Sequence, residues 1–299
     1  MPQHVLVPVD GSDHGFAGLE YSLASFPDAA LTALYAVDPT HDHGATAGGD
    51  PPSTERARER GERVLERAAG RADEYGHDSG FETLLRTGTP HTEILSVAAD
   101  DDRGIDHVVL GSHGESQIKR PFLGRVSEAI VRRAPVSTTV VPESTTAMRE
   151  RELPGTALVP VDGSEQADAA LEYVLAQFPD ADHVAFHALS LPFDRPRSDV
   201  AGTYLEKVVT AHERRAEEIL ESATELADDH DATIETATGD EKPAAAIVEY
   251  AETEGVDQIV MGSHGRSLAA RLLTGSVAER VARRSPRPVT LVRGRPGTI

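Results

Sequence analysis

Three glycines and a serine near the C-terminus form a set of bare backbone groups. They lie in MGSHGRSLAARLLTGS, residues 261–276. Two residues separate Gly262 from Gly265, nine separate Gly265 from Gly275, and Ser276 follows at once. Gly262 ends the apolar run QIVMG, so Gly262 and Gly265 bracket a tight turn whose N–H groups can face outward as an anion nest. Gly275-Ser276 precedes VAERVARR, a helix whose first N–H groups lack internal partners. A phosphate can satisfy them, and the positive dipole end favours it. Glycine lets backbone and ligand approach closely. Taken singly, these residues are turn glycines and a serine N-cap. Taken together, at a strand end and a helix start, they point to the phosphates of a nucleotide.

Other candidates are weaker. His113 and His264 lie inside the two GSHG turns, where they could donate to phosphate or shuttle a proton. No carboxylate stands at a spacing that would orient either ring, so packing on the turn is the simpler role. Asp10 and Asp162 precede Gly-Ser and could act as bases, but a strand-end aspartate there is more simply a turn former or a ribose acceptor. The His41-Asp42-His43 triplet has metal-ligand residue types but no partner cluster, so no metal site is expected. The chain lacks GxxxxGK[ST], and Walker-type phosphoryl transfer is not supported.

These residues sit in a chain that repeats itself. VLVPVDGSDHGFAGLEYSLASFPDA (5–29) and ALVPVDGSEQADAALEYVLAQFPDA (157–181) are identical at 17 of 25 positions. IDHVVLGSHG (105–114) matches VDQIVMGSHG (256–265), and GRVSEAIVRRAP (124–135) matches GSVAERVARRSP (275–286). One unit of about 150 residues, the usual size of a domain, therefore occurs twice. The expected domains are 1–142 and 156–295. The polar stretch 143–155, ending in Pro-Gly, is the linker.

Within each unit short apolar runs alternate with helical patterns. In the first, HVLVPV (4–9), LTALYAV (31–37), FETLLRT (81–87), HVVLG (107–111) and VSTTVV (136–141) read as strands. Ser12 is the expected N-cap of a helix running to Phe26, closed by Pro27. Further helices are expected over about 54–75, with a solvated charged face, over 90–100, with proline in the first turn, and over 126–133. The Gly/Pro-rich segment 38–53 reads as a mobile loop. In the second unit the strands are TALVPV, HVAFHAL, TIETAT, QIVMG and PVTLV. This alternation predicts an α/β fold of parallel strands with helices on both faces. Such sheets bind ligands outside the carboxyl ends of their strands, where strand order reverses.

Composition limits the partners. The chain has 299 residues, with 50 acidic against 29 basic, a net charge of −21. That opposes binding to nucleic acid or to an anionic membrane. Lysine occurs only at Lys119, Lys207 and Lys242. An acidic, lysine-poor surface suits a cytosol of high ionic strength; the alternative is an ordinary acidic cytosolic protein. Cysteine is absent, which excludes disulfides and thiol metal sites. The N-terminus already reads as a strand and turn rather than a signal peptide, and no apolar run nears the ~20 residues of a membrane span. The expected location is the cytoplasm.

The pattern G-x2-G-x9-G-[S/T], after a hydrophobic strand and before the last helix, resembles the ATP-binding members of the universal stress protein family. The opening VPVDGS is similar to that family's first strand. The resemblance covers nearly the whole chain as a tandem pair and implies two five-stranded parallel sheets of order 3-2-1-4-5. It also implies ATP as ligand, with any Mg2+ held by the phosphates. Carried over by position, Asp162 would hydrogen-bond the ribose, Pro160 and Val161 would line the base pocket, and Ala188 would offer backbone atoms to adenine. Met261 and Gly262 would flank the ribose. Gly265, Gly275, Ser276 and Val277 would cradle the phosphates, with Ser263 and Arg266 completing the set.

The first unit keeps Pro8, Val9, Asp10, Ala36, Leu110, Gly111, Gly114, Gly124 and Val126 at the matching positions but carries Arg125 where the pattern wants serine or threonine. Arg125 could pair with phosphate or fill the site. Ser127 could restore a hydroxyl only if the helix turned it toward the ligand.

The expected function is a regulatory, non-catalytic adenine-nucleotide module of the stress response, acting on an unidentified protein partner. The alternative is a slow ATPase using the same pocket. In the implied strand order the final strand of each unit is a sheet edge, and exposed β-branched edges invite pairing. The tandem is therefore expected to dock its two units as an intramolecular pseudo-dimer, and larger homo-oligomers would use another surface.

Overall fold

The computed structural model describes residues 2–38, 54–113, 123–142, 154–190, 203–263 and 275–294. The chain divides into two compact units, Met1–Leu153 and Pro154–Ile299. Unit 1 runs β1 (His4–Pro8), α1 (Asp13–Ser25), β2 (Ala30–Val37), α2 (Thr54–Glu74), β3 (Phe81–Thr87), α3 (Pro90–Ala98), a 3-10 turn (Asp101–Arg103), β4 (His107–Gly111), α4 (Arg125–Arg133) and β5 (Ser137–Val141). Unit 2 runs β6 (Thr156–Pro160), α5 (Glu165–Gln177), β7 (Asp182–Ala188), α6 (Tyr204–Asp228), β8 (Glu235–Gly239), α7 (Pro243–Thr253), β9 (Gln258–Gly262), α8 (Ser276–Arg284) and β10 (Val289–Val292).

Strand order is β3-β2-β1-β4-β5 in unit 1 and β10-β9-β6-β7-β8 in unit 2. Every pairing within a unit is parallel. Both units thus have the 3-2-1-4-5 order, and the carboxyl ends of all five strands share one edge. The chain leaves the first strand toward one side, then crosses back to the other. The reversal falls between β1 and β4, and between β6 and β9.

Chain chemistry explains these elements. The central strands are fully buried: Val5, Leu6, Val7, Ala157, Leu158 and Val159 are each 0% exposed. On the α3/α4 face of unit 1, Leu6, Leu34, Val108 and Leu110 pack with Ile94, Val97 and Ile130. Each such side chain contributes roughly 1.5–3 kcal/mol by leaving water. On α2 the buried stripe is Ala57, Val64, Leu65, Ala68 and Ala72. Its outer face carries exposed ion pairs such as Arg58–Glu62 at 3.2 Å, which add little to stability. Arg71 turns back to pair with Glu20, and the Arg67 guanidinium lies 4.4 Å from the Phe16 ring centre.

The first helix of each unit starts as expected. Ser12 Oγ accepts the Gly15 N–H at 3.2 Å, and Ser164 Oγ accepts the Ala167 N–H at 3.3 Å. The turn before each uses a left-handed glycine, Gly11 (φ 90°) and Gly163 (φ 72°), a conformation that side chains disfavour.

Several boundaries differ from expectation. The first strand of each unit ends at its proline, before Val9 and Val161. Helices α4 and α8 start at Arg125 and Ser276, with Gly124 and Gly275 as N-caps, so Ser276 is a first-turn residue and not a cap. The β8 strand covers Glu235–Gly239, not 233–238. The 39–53 loop with its His-Asp-His triplet lies outside the described residues, as do 143–153 of the linker.

Candidate functional site

Asp162, Ala188 and Gly262 stand at the ends of three adjacent parallel strands, β6, β7 and β9. The register places Pro160 beside Phe186 and Leu158 beside Ile259, so these ends are level along one edge. Past Pro160, the Val161 N–H still donates to the Phe186 carbonyl at 2.8 Å. The chain then turns, and Asp162 Oδ1 accepts the Ser164 N–H at 3.1 Å. Its second oxygen accepts no hydrogen bond among the described residues. The turn therefore uses half of the carboxylate and leaves half for a ligand donor, such as a ribose hydroxyl.

The helix end of the site is built by a short link. The Ser263 N–H donates to Val292 at 3.0 Å, and the Ser263 carbonyl accepts the Gly275 N–H at 2.7 Å. This bond brings the start of α8 against the end of β9. Gly275 makes no side-chain cap. The Ser276 and Val277 N–H groups find no acceptor among the described residues. Gly275 has ordinary angles (φ −65°, ψ 152°), so backbone conformation does not require glycine there. Met261 and Ser263 are buried, Ser276 is exposed. Gly265 and Arg266, with His264, lie outside the described residues.

The first glycine of the pattern answers to packing. A β-carbon on Gly262 would lie 2.6 Å from the Gln166 carbonyl oxygen and 2.8 Å from its Cβ. In unit 1 a β-carbon on Gly111 would meet the His14 carbonyl just as closely. The first turn of α1 or α5 rests directly on the strand end, and only glycine fits beneath it.

The Asp162 side of the unit 2 edge is acidic. Asp168 on α5 has its carboxyl raised above the usual range, first by burial and then by the charges of Glu172, Asp162 and Glu165. A phosphate is better placed at the α8 end, where the helix N-terminus faces it.

Unit 1 repeats the frame with altered chemistry. The Val9 N–H donates to Leu34 at 2.9 Å, Ser112 N–H to Val141 at 2.8 Å, and Gly124 N–H to Ser112 at 2.8 Å. Asp10 Oδ1 accepts both the Ser12 N–H at 3.0 Å and the Ser12 hydroxyl at 2.5 Å. Ala36 is the penultimate residue of β2, while its counterpart Ala188 ends β7. Leu110 and Gly111 are buried in β4, Arg125 is an exposed first-turn residue of α4, and Val126 packs against the core. Gly114 lies outside the described residues. Ser127 does not replace the missing hydroxyl: its Oγ is buried and donates to the Gly111 carbonyl at 2.8 Å. Unit 2 has Ala278 at that position. His113 packs on its turn, with Nδ1 3.1 Å from Ser112 Oγ and its ring 5.4 Å from that of His14.

Sequence reasoning missed His187. Its Nδ1 lies 2.7 Å from the Val161 carbonyl, at the mouth of the unit 2 site. The only trace in the sequence is a histidine near the end of the apolar run HVAFHAL. Among the described residues no group of three or more His, Asp or Glu could hold a metal ion. No described helix is long and apolar enough to cross a membrane.

Comparison with known proteins agrees with this geometry. The model of the universal stress protein family matches residues 1–142 and again 155–293. A universal stress protein of Mycolicibacterium smegmatis is 26% identical over 296 residues, covering 97% of both chains. One from Mycobacterium bovis is 29% identical over 207 residues, 68% of this chain but only 63% of that relative's length. The fold is shared with the crystal structure of a universal stress protein from Archaeoglobus fulgidus, at a TM-score of 0.70 and 24% identity, covering 98% of this chain and 99% of that one. With its domain present twice, the chain belongs to the universal stress protein family.

Proposed function

We propose that unit 2 binds an adenine nucleotide, ATP, and that the bound state regulates contacts with a protein partner in the cytoplasm. One observation carries this reading. The Ser276 and Val277 N–H groups, without acceptors among the described residues, lie at the same sheet edge as the half-used carboxylate of Asp162. That edge offers donors at one end and an acceptor at the other, matching triphosphate and ribose. Ala188 completes the set with a backbone N–H beside β6. Pro160, Val161, Met261, Gly262, Ser263, Gly265, Arg266 and Gly275 belong to the same proposal. A Mg2+ ion accompanying the nucleotide would be held by its phosphates.

In unit 1 the matching residues are Pro8, Val9, Asp10, Ala36, Leu110, Gly111, Gly114, Gly124, Arg125 and Val126. Arg125 stands at the helix start, and Ser127 is committed to Gly111. Unit 1 is the weaker site.

The role is binding rather than turnover. The test is direct: acid extraction of the purified full-length chain, chromatography of the released nucleotide, and phosphate release followed over hours. Co-purified adenine nucleotide, or ATP affinity by calorimetry, is expected, with slow or no release of phosphate. Absence of both binding signals would refute the nucleotide reading. Sustained hydrolysis at ~1 per second or faster, a low enzyme rate, would replace it with the ATPase reading.

A further inference from the structure

His187 occupies the place where the β6–β7 ladder would take its next hydrogen bond. In parallel strands, alternate residues direct their N–H and C=O groups to the same neighbour. The Phe186 carbonyl accepts from Val161 across the β6 side, at 2.8 Å, and the Leu189 N–H donates to Gly239 across the β8 side, at 2.7 Å. Ala188 therefore faces β6, and a continued ladder would join its N–H to the Val161 carbonyl. That bond is not made. The Val161 carbonyl lies instead 2.7 Å from His187 Nδ1. A carbonyl only accepts, so Nδ1 carries the proton. Among the described residues the Ala188 N–H finds no acceptor.

We propose that His187 is a positioning residue for the nucleoside end of the unit 2 site. By donating to the Val161 carbonyl it occupies the acceptor that a further ladder bond would use, and the Ala188 N–H stays available for a ring acceptor of the base. It also pins Val161, and with it the neighbouring Asp162. This proposal rests on the nucleotide reading of unit 2. It adds that base and ribose recognition depend on a side chain that touches neither.

The experiment uses the full chain and three ligands, adenosine, ATP and inorganic tripolyphosphate, titrated by calorimetry against wild type, His187→Phe and His187→Gln. Phenylalanine keeps a ring but no donor; glutamine keeps an N–H donor. His187→Phe is expected to weaken adenosine and ATP by the same factor, about tenfold for one lost positioning bond. Tripolyphosphate binding should stay unchanged, and His187→Gln should restore most of the loss. Imidazole 15N spectra of ligand-free wild type should show the proton on Nδ1, a result that needs no variant to fold. A neutral ring protonated on Nε2 instead would overturn the proposal. So would wild-type adenosine affinity in His187→Phe, or an equal loss of tripolyphosphate. Wild type that binds neither adenosine nor ATP would remove the nucleotide reading, and this proposal with it.

Discussion

His107 Nε2 lies 2.8 Å from Thr139 Oγ1 across β4 and β5, and unit 2 rebuilds the same bridge with different chemistry. There the Gln258 Nε2 amide donates to Thr290 Oγ1 at 2.7 Å. Both bridges are buried, and His107 also packs against the Phe26 ring at 5.3 Å. A histidine and a glutamine fill one niche because each presents a nitrogen at similar reach. They differ in one respect: only histidine can take up a proton.

Burial lowers the His107 pKa from 6.5 to about 3. The folded state thus holds the ring neutral over a range where the unfolded chain protonates it. Its share of stability is present above pH ~6.5 and is lost as pH falls toward 3, on the order of 5 kcal/mol in all. His107→Gln, which borrows unit 2's solution, should flatten this acid loss. Melting temperatures at pH 7 and pH 4.5 measure it. An equal drop in variant and wild type would contradict the assignment.

Gly262→Ala should destabilise the ligand-free protein. The new methyl would press on the backbone of Gln166, and relief requires α5 to shift. The cost is about 1–3 kcal/mol, seen in urea unfolding without nucleotide. A variant as stable as wild type would mean that this glycine answers to a ligand alone.

The two ends of the unit 2 site should respond separately. Asp162→Ala is expected to weaken adenosine and ATP alike. Ser276→Arg, which imitates Arg125, should weaken ATP while sparing adenosine. Titrations of the full chain with each variant, and with Asp10→Ala as the matching change in unit 1, also rank the sites. Asp10→Ala should leave most of the ATP affinity in place. If it removes more than Asp162→Ala does, the order of the two sites is reversed.

The net charge of −21 predicts a salt response. Screening shortens the Debye length to ~3 Å at 1 M, which relieves repulsion among exposed carboxylates. The melting temperature should rise from 0.1 to 2 M KCl. A flat or falling curve would favour the ordinary acidic cytosolic alternative.

Much of the frame was legible because its signals are local. The first strand of each unit is a short β-branched run before Asp-Gly-Ser, and FETLLRT, HVVLG and QIVMG match β3, β4 and β9 residue for residue. The β8 strand was displaced because it alternates weakly, with Glu235 and Thr236 both exposed. Helices α4 and α8 start one residue earlier than their pattern suggests because glycine serves as the cap. The rest was not local at all. The bond from Ser127 to Gly111 spans 16 positions, and that from His187 to Val161 spans 26. Both exist only after two elements have met, so no spacing rule along the chain announces them. The seat that Gln166 makes over Gly262 is of the same kind.

That seat changes what the glycine pattern can testify to. Its first glycine would be retained by a copy of the domain that had stopped binding anything, since helix and strand would still meet there. A lineage drifting away from nucleotide would erode the pattern from its far end, at the residue after the last glycine. Arg125 beside an intact Gly111 is the arrangement such drift would leave behind. In a tandem chain of this kind the first glycine alone therefore does not count working sites, and the residue that opens the last helix is the better witness.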